Sequence, residues 1–507
     1  MKNSSYDIAI IGSGLSGLIC GYILSKEGYK VVLLEKNKQV GGCLQTFVRD
    51  KRIFDVGVHY IGGLAKGQSL HQYFTYLGIM NQLKLEQLDK EAFDVISFGQ
   101  GKSYALAQGW EQLVNQLSTQ FPQERQGLKA YQKAVREMCA NFPLYNLEID
   151  KPYPKDLSHL GINAQAKIAS LIEDSTLQAV LGGNNLLYAG KGEVTPFHLH
   201  ALVLNSYVES AWRCVDGGSQ IARALVKNIR AQGGELYKQK EVDHFTFEAG
   251  KIKTVVLTTG ESITAKAVIS SVHPALLSHF VRKEKGALRK AYLNRIQQIK
   301  ATPAVFSVHY TLQPNQVPYT KSNYYHHPNQ QVWQAVSTNQ KDWPGSYLAL
   351  TPSHNKSTAY ADSFAALTYM DYEKVQPWAN SFNTVAAEQD RGAAYEEFKQ
   401  EHAEKLLQLL YQQFPELKGN VLNSYASTPL SFRDYTGAPT GSFYGFERNY
   451  QEPMKTALAV QTRIPNLTLT GQNINMHGIL GVTVSAVLAC LNFVDRKKLL
   501  TDIVSAS

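Results

Sequence analysis

"YDIAIIGSGLSGLICGYILSKEGYKVVLLEK", Tyr6 to Lys36, decides the fold. Ile8 to Ile11 is a short apolar run of the kind that fills a buried parallel strand. It runs into Gly12-Ser13-Gly14-Leu15-Ser16-Gly17, a G-x-G-x-x-G. In such a turn Gly12 permits the tight bend, Gly14 lets a pyrophosphate approach the backbone, and Gly17 lets the following helix sit close on the strand. Leu15 to Lys26 reads as that helix, with the N-terminal amides of Leu15 and Ser16 placed to hold phosphate. Gly28 breaks it, and Lys30 to Leu34 is a second strand ending at Glu35-Lys36. The Glu35 carboxylate is placed to accept from ribose hydroxyls, which favours FAD or NAD over a 2′-phosphorylated nucleotide.

A glycine turn alone is a weak signal, but strand, helix, second strand and terminal acid together are a strong one. Two further stretches choose the nucleotide. Val40-Gly41-Gly42-Cys43-Leu44-Gln45-Thr46-Phe47 follows at once, then Phe54-Asp55-Val56-Gly57-Val58-His59-Tyr60-Ile61-Gly62. A second paired-glycine loop beside the ribose acid serves no purpose in an NAD domain. An extended FAD, with its pyrophosphate and ribityl chain, needs it. The expected cofactor is therefore non-covalent FAD. No second complete nucleotide fingerprint follows, so direct electron donation by NAD(P)H is left open.

At these residues the chain resembles the phytoene desaturase and carotenoid isomerase family of flavoproteins, and its GGCLQTF and FDVGVHYIGG stretches resemble the retinol saturase branch. The likeness continues through "YAGKGEVTPFHLHALVLNSYVESAWRCVDGGSQIARALVKNI", "TPLSFRDYTGAPTGSFYGF" and "IPNLTLTGQNINMHGILGVTVSAVLA". Other desaturases more often carry Arg where Cys43 stands, and relatives often carry Pro where Val215-Asp216 precede Gly217-Gly218.

The resemblance implies an α/β fold: a Rossmann-like FAD-binding domain of the amine oxidase and phytoene desaturase type, interleaved with an α+β substrate domain. Residues 1–75, 206–289 and 436–507 would form the discontinuous FAD-binding domain, and 76–205 with 290–435 the substrate-binding domain. Val242, after Lys240-Glu241, resembles the strand whose backbone touches the adenine. Gly57 and Val58 resemble the segment passing beside the isoalloxazine ring, which makes His59 and Tyr60 catalytic candidates. His59 would donate a proton or hydrogen-bond the flavin, with a structural imidazole the competing reading. Near the C-terminus, strand Leu467 to Leu469, Gly471, Gly478 and a helix beginning near Gly481 would bring the Val482 amide to the flavin pyrimidine. His477 is a second imidazole near the ring.

The implied activity is FAD-dependent oxidation or reduction at a C=C bond of an apolar polyene, first a retinol 13,14-reductase-like saturation. A carotenoid desaturase or cis–trans isomerase is the enzymatic alternative. A non-catalytic flavin-containing lipid-binding protein is the alternative of another class. Nine aromatic residues of the inserted segments are candidates to line the substrate cavity: Tyr324, Tyr325, Trp333, Trp343, Tyr347, Tyr360, Tyr369, Tyr372 and Trp378.

The remaining composition excludes more than it adds. At 507 residues the chain suits two domains. Its five cysteines are scattered without zinc-like spacing, which suggests a reducing, cytoplasmic setting. The pairs His198/His200 and His326/His327 lack acidic or cysteine companions, so no metal is expected. No signal peptide is expected, and the longest apolar stretch, Gly478 to Val494, falls short of the ~20 residues of a spanning helix. The net charge of +9 is partly carried by Arg282 to Lys300, a basic amphipathic run that could contact anionic lipid or be a solvated face. No aromatic-interleaved basic motif suggests nucleic acid. Oligomeric state is not legible in these residues.

Overall fold

The Ile8–Ile11 run lies mid-sheet, inside the strand Ser5–Ile11, with Val31–Leu34 on one side and Ser262–Ser270 on the other, both parallel to it. Glu235–Tyr237 adds a parallel strand beyond Val31–Leu34, and Leu467–Leu469 adds another along the C-terminal half of Ser262–Ser270. The N-terminal half of Ser262–Ser270 instead closes an antiparallel meander with Lys251–Leu257 and Val242–Glu248. Gly250 and Gly260 form the meander's two turns. In the computed structural model the described residues are 5–99, 101–336, 343–354, 359–385 and 388–506.

Three helices cover the face of this sheet that carries the cofactor turn. Leu15–Lys26 is buried from Leu15 through Ser25, because Gly478–Cys490 and Ser219–Ala231 both pack against it. A helix enclosed on all sides has no polar face, which is why its sequence carries no charge before Lys26 at its end. Ser219–Ala231 has one free side and buries only a stripe that includes Ile221, Ala222, Leu225 and Ile229.

A second seven-stranded sheet runs in the order Val421–Ser427, Ala304–Leu312, Ser363–Met370, Tyr347–Leu350, Asn323–His327, Asp94–Phe98, Ser103–Leu106. All its pairings are antiparallel except that of Asp94–Phe98 with Asn323–His327. Its two central strands are buried at every position, yet the period of two still sorts the side chains. Phe306, Val308, Tyr310, Phe364 and Ala366 face a core shared with Leu406 and Leu410 of the helix Ala393–Gln413. Val305, Leu367 and Tyr369 face the other way, into the main core of the protein. That second face closes one side of the site described below.

This is the α/β architecture expected, with an α+β unit interleaved. The basic run resolves into a turn and the helix Lys290–Gln298. Its Ile296 is buried, Arg282 pairs with Asp243 at 2.6 Å, and Arg295 donates to the carbonyls of Met454 and Ala457. No helix among the described residues is long and apolar enough to cross a membrane.

Candidate active site

The first turn is as tight as its glycines require. A Cβ on Gly17 would lie 2.2 Å from the carbonyl oxygen of Gly12, so helix and strand meet there with no room for a side chain. Gly17 therefore packs beneath the site and does not line it. A Cβ on Gly14, in contrast, would meet nothing within 4 Å: its space is open. Gly14 caps the helix without any side-chain cap, and the first turn carries no acid. The amides of that turn are unsatisfied and available to an anion.

The second glycine pair lies directly on the first turn. The Gly41 N–H donates to the Ser13 carbonyl at 3.0 Å, with Gly41 at φ +114°, and a Cβ on Gly42 would lie 3.3 Å from the Gly14 Cα. Glu35 is buried under both, accepting at Oε2 from the Ser13 N–H at 3.0 Å and Oγ at 2.5 Å, and at Oε1 from the Asn37 N–H. The Lys36 ammonium donates to the Asp434 carbonyl, joining this corner to the segment Pro429–Thr436.

One cavity of about 750 Å³ runs from this corner through the protein. Its lining includes Gly12, Gly14, Leu15, Ser16, Gly41 and Gly42 from the two loops, with Glu35, Lys36 and Val242 at the outer end. Gly57, Val58, His59 and Tyr60 line the middle, opposite Gly471, Gly478 and Val482. The sites read from the sequence thus converge on one space, Gly17 excepted.

The C-terminal helix starts at Gly478, three residues before the expected Gly481, because Gly478 turns the chain at φ +76°. Val482 consequently stands in the second turn. The amides left free are those of Gly478, Ile479 and Leu480. Here too no side chain caps the helix, and a Cβ at Gly478 would meet nothing within 4 Å. Arg448, absent from the sequence reading, supports the preceding loop by donating to the carbonyls of Asn473 and Asn475.

The inner end is apolar and aromatic, with Leu186, Leu187, Leu202, Val305, Leu348 and Leu367 around Tyr60, Tyr207, Tyr369 and Tyr444. Of the nine aromatic candidates only Tyr369 lines it. Tyr347 and Trp333 pack in the cores, and Tyr360 is exposed. Of the other tyrosines that line it, Tyr60 was already a candidate from its place beside Gly57, whereas Tyr207, on a helix, and Tyr444, in a loop, carried no such signal.

Burial governs the ionisable groups. It lowers His59 to about 4, with the nearby Arg213 charge adding to the effect, and lowers His477 to about 4 as well. Both imidazoles are neutral at pH 7. His59 Nε2 has no hydrogen-bond partner, whereas His477 Nε2 lies 3.2 Å from the Leu187 carbonyl and its ring 4.5 Å from that of Tyr444. Burial pushes Cys43 up to about 11, so it is a thiol and no nucleophile. Asp55, whose Oδ1 accepts from the Gly218 N–H at 2.7 Å, is pushed up to about 7. The histidine pairs serve structure: His200 lies between the hydroxyls of Tyr131 and Tyr188, and His327 bonds the Gly183 carbonyl.

Behind Tyr60 is a buried polar chain that the sequence reading missed. The Tyr60 hydroxyl lies 3.1 Å from Asp94 Oδ2 and 2.5 Å from the Tyr325 hydroxyl, and its ring centroid 4.4 Å from that of Tyr207. A lone acid in the apolar strand "FDVISF" was the available signal.

Two uncapped helix N-termini, open space over Gly14 and Gly478, and an orphaned imidazole nitrogen between them fit an extended flavin dinucleotide. The family described as flavin containing amine oxidoreductase matches residues 15–490. Human all-trans-retinol 13,14-reductase is 27% identical over 545 residues, spanning 98% of this chain and 87% of that protein. The chloroplastic prolycopene isomerase of Daucus carota is 23% identical over 472 residues, spanning 87% of this chain and 72% of its own. An oxidoreductase from Methanosarcina mazei has the same fold, with a TM-score of 0.61 at 16% identity over 96% of this chain and 100% of that one.

Proposed function

The chain belongs to the flavin-containing amine oxidoreductase family and is an FAD-dependent oxidoreductase, and from that premise we propose that it saturates one C=C bond of an apolar polyene, in the manner of a retinol 13,14-reductase. One observation carries the choice of substrate. Among the described lining residues, every carboxylate and ammonium (Glu35, Lys36, Lys240, Glu241, Asp243) belongs to the nucleotide end, and the inner chamber is walled by leucines, valine and tyrosines with neutral imidazoles. Such a chamber suits an uncharged hydrocarbon chain. An amine substrate would arrive as a cation with no counter-charge to meet it. We take residues 76–205 and 290–435 as the part that supplies most of this chamber, together with His59, Tyr60, Tyr207 and Tyr444.

Bound FAD, held without a covalent link, would supply hydride chemistry at the ring. The protein's contribution is orientation and dryness. The amides of Leu15 and Ser16 would hold the pyrophosphate, and those at the start of Gly478–Cys490 would meet the ring end. The second sheet presses Val305, Leu348 and Leu367 against the hydrocarbon chain, so that one double bond lies where hydride can reach it. The prolycopene isomerase relative keeps carotenoid isomerisation or desaturation as the second reading.

Anaerobic mixing of the pre-reduced holoprotein with all-trans-retinol and with lycopene tests the assignment. Flavin reoxidation with a product two hydrogens heavier identifies saturation, and an isomer of unchanged mass identifies the second reading. Adding NADPH to the oxidised protein in the same cell tests it as donor. Peripheral lipid contact draws its support from the exposed Lys283, Lys285, Arg289 and Lys290, and salt-dependent co-sedimentation with anionic vesicles tests that.

A further inference from the structure

Saturating a C=C bond needs a proton as well as a hydride, and the inner chamber offers few places to keep one. His59 and His477 are neutral. The Tyr369 hydroxyl is donated to the Leu186 carbonyl at 2.7 Å. Tyr60 differs from these in having a buried acid behind its hydroxyl.

That acid is part of a continuous chain. Arg213, 1% exposed, donates from Nη2 to Asn323 Oδ1 at 2.9 Å, and Asn323 Nδ2 donates to Asp94 Oδ1 at 2.9 Å. The other oxygen, Asp94 Oδ2, faces the Tyr60 hydroxyl. Parallel pairing sets Asp94 opposite Asn323, so the sheet itself fixes this link. Arg213 is anchored by the carbonyls of Thr320, Ser322 and Thr351. The groups facing Asp94 are thus Tyr60, Tyr207, Tyr325, Asn184, Asn323 and Arg213. None is a carboxylate. Only Tyr60 and Tyr207 of this set also line the cavity, and the Tyr207 hydroxyl points at the Tyr60 carbonyl.

We propose that Asp94 supplies, through the Tyr60 hydroxyl, the proton that completes saturation of the double bond. The proposal rests on the polyene-saturase reading above. One carbon of the double bond would receive the hydride that bound reduced flavin supplies. The π pair, released onto the adjoining carbon, takes the Tyr60 proton as the phenolic O–H breaks and a C–H forms. The Tyr60 oxygen then takes the Asp94 carboxyl proton, with the Tyr325 hydroxyl bonding it throughout. Asp94 is left as a carboxylate beside Asn323, in the field of Arg213, and is reprotonated from solvent between turnovers. Burial holds the Asp94 carboxyl up to about 7, so a large part of it carries a proton at neutral pH. Tyr60 touches the substrate; Asp94 acts through it.

Two measurements test this. In the oxidised holoprotein, infrared titration from about pH 5 to about pH 9 follows the protonated-carboxyl band. Wild type should show two carboxyl components with midpoints near neutrality, from Asp55 and Asp94; Asp94→Asn should remove one and leave the Asp55 component, and Tyr60→Phe should move only the Asp94 component to higher pH by removing a donor to the carboxylate. In single turnovers of pre-reduced protein with all-trans-retinol in D₂O, wild type should place a solvent deuteron on the carbon that Tyr60 protonates, beside the solvent-exchanged hydrogen delivered from the flavin, and slow as pH rises through the Asp94 midpoint. Asp94→Asn should lose this pH dependence and slow by ~10²-fold, and Tyr60→Phe by at least as much. Asp94→Asn with wild-type rate and pH profile, or an Asp94 already ionised at pH 5, overturns the proposal. Wild type inert toward both retinol and lycopene overturns the saturase reading instead, and the proton route falls with it.

Discussion

Ser13 and Glu35 are joined twice, by the Ser13 N–H at 3.0 Å and its hydroxyl at 2.5 Å, both to Glu35 Oε2. The acid read as a ribose ligand therefore also braces the pyrophosphate turn, and with Oε1 on the Asn37 N–H it has limited acceptor capacity left for a sugar. Glu35→Ala should weaken FAD binding by about 1.5–3 kcal/mol, the range for a charge-assisted hydrogen bond, and leave turnover at saturating FAD nearly intact. Glu35→Gln, which keeps an acceptor, should lose less. Flavin fluorescence titration of the two apoproteins checks the order.

Two glycines three residues apart should fail differently. A Cβ at Gly17 would strike the Gly12 carbonyl oxygen at 2.2 Å, whereas one at Gly14 meets open space. Gly17→Ala should thus reduce folding stability of the apoprotein, by a few kcal/mol if the helix must move. Gly14→Val should leave the apoprotein's thermal midpoint near wild type and yield colourless protein that takes up no FAD. A Gly14→Val protein that is still yellow would show that the pyrophosphate lies elsewhere.

Acid should unfold the protein through its buried imidazoles. His309 is wedged between Phe47 and Phe54, ring centroids 5.0 Å from each, with Nδ1 unpartnered, and burial lowers it to about 3. The unfolded chain binds a proton near pH 6.5 that the folded chain refuses, so stability is full above the unfolded value and falls as pH drops toward the folded one. His198 and His200, also lowered to about 3, act in the same direction. Asp55 and Asp94, raised to about 7, oppose them, since there the folded state holds the extra proton. Among the described residues eight histidines are lowered to about 3 or 4 against two aspartates raised to about 7, and the histidines prevail. His309→Phe should remove about 1.4 kcal/mol of acid destabilisation per pH unit below about 6.5. Urea unfolding at several pH values measures that slope.

The dinucleotide half was legible because its chemistry is local. A turn, a helix start and a strand-end acid all fall within Gly12 to Glu35, where spacing alone reports geometry. The helix Leu15–Lys26 and the strand Leu467–Leu469 stand where the residues put them. The chamber was hard to read because it is made by pairing across distance. Asp94 meets Asn323 only once two strands more than two hundred residues apart are set parallel, and nothing near Asp94 in the chain announces that partner. The aromatic candidates failed for a related reason. Composition shows how many rings a segment holds, but period-two alternation decides which of them face the cavity, and strand boundaries were not fixed well enough to apply it.

Of the two catalytic candidates the sequence offers, His59 carries the proton-donor reading and Tyr60 stands beside it; their surroundings separate them. His59 lines the cavity with Nε2 buried and without a partner, so it can bond whatever occupies that space. At about 4, it carries a second proton in only about one molecule in 10³ at pH 7, which makes it a poor acid and a serviceable neutral hydrogen-bonding group. His59→Ala should therefore still purify yellow, with an altered visible flavin spectrum from the lost contact. Reoxidation of pre-reduced His59→Ala by retinol, at FAD occupancy matched to wild type, should slow by less than ~10-fold. A general acid would cost ~10²–10⁴-fold on removal. If the loss reaches that range, and wild-type rates rise as pH falls toward about 4, the proton comes from His59 and Tyr60 only orients it. If the wild-type profile instead breaks near neutrality, where Asp94 titrates, the phenol is the donor.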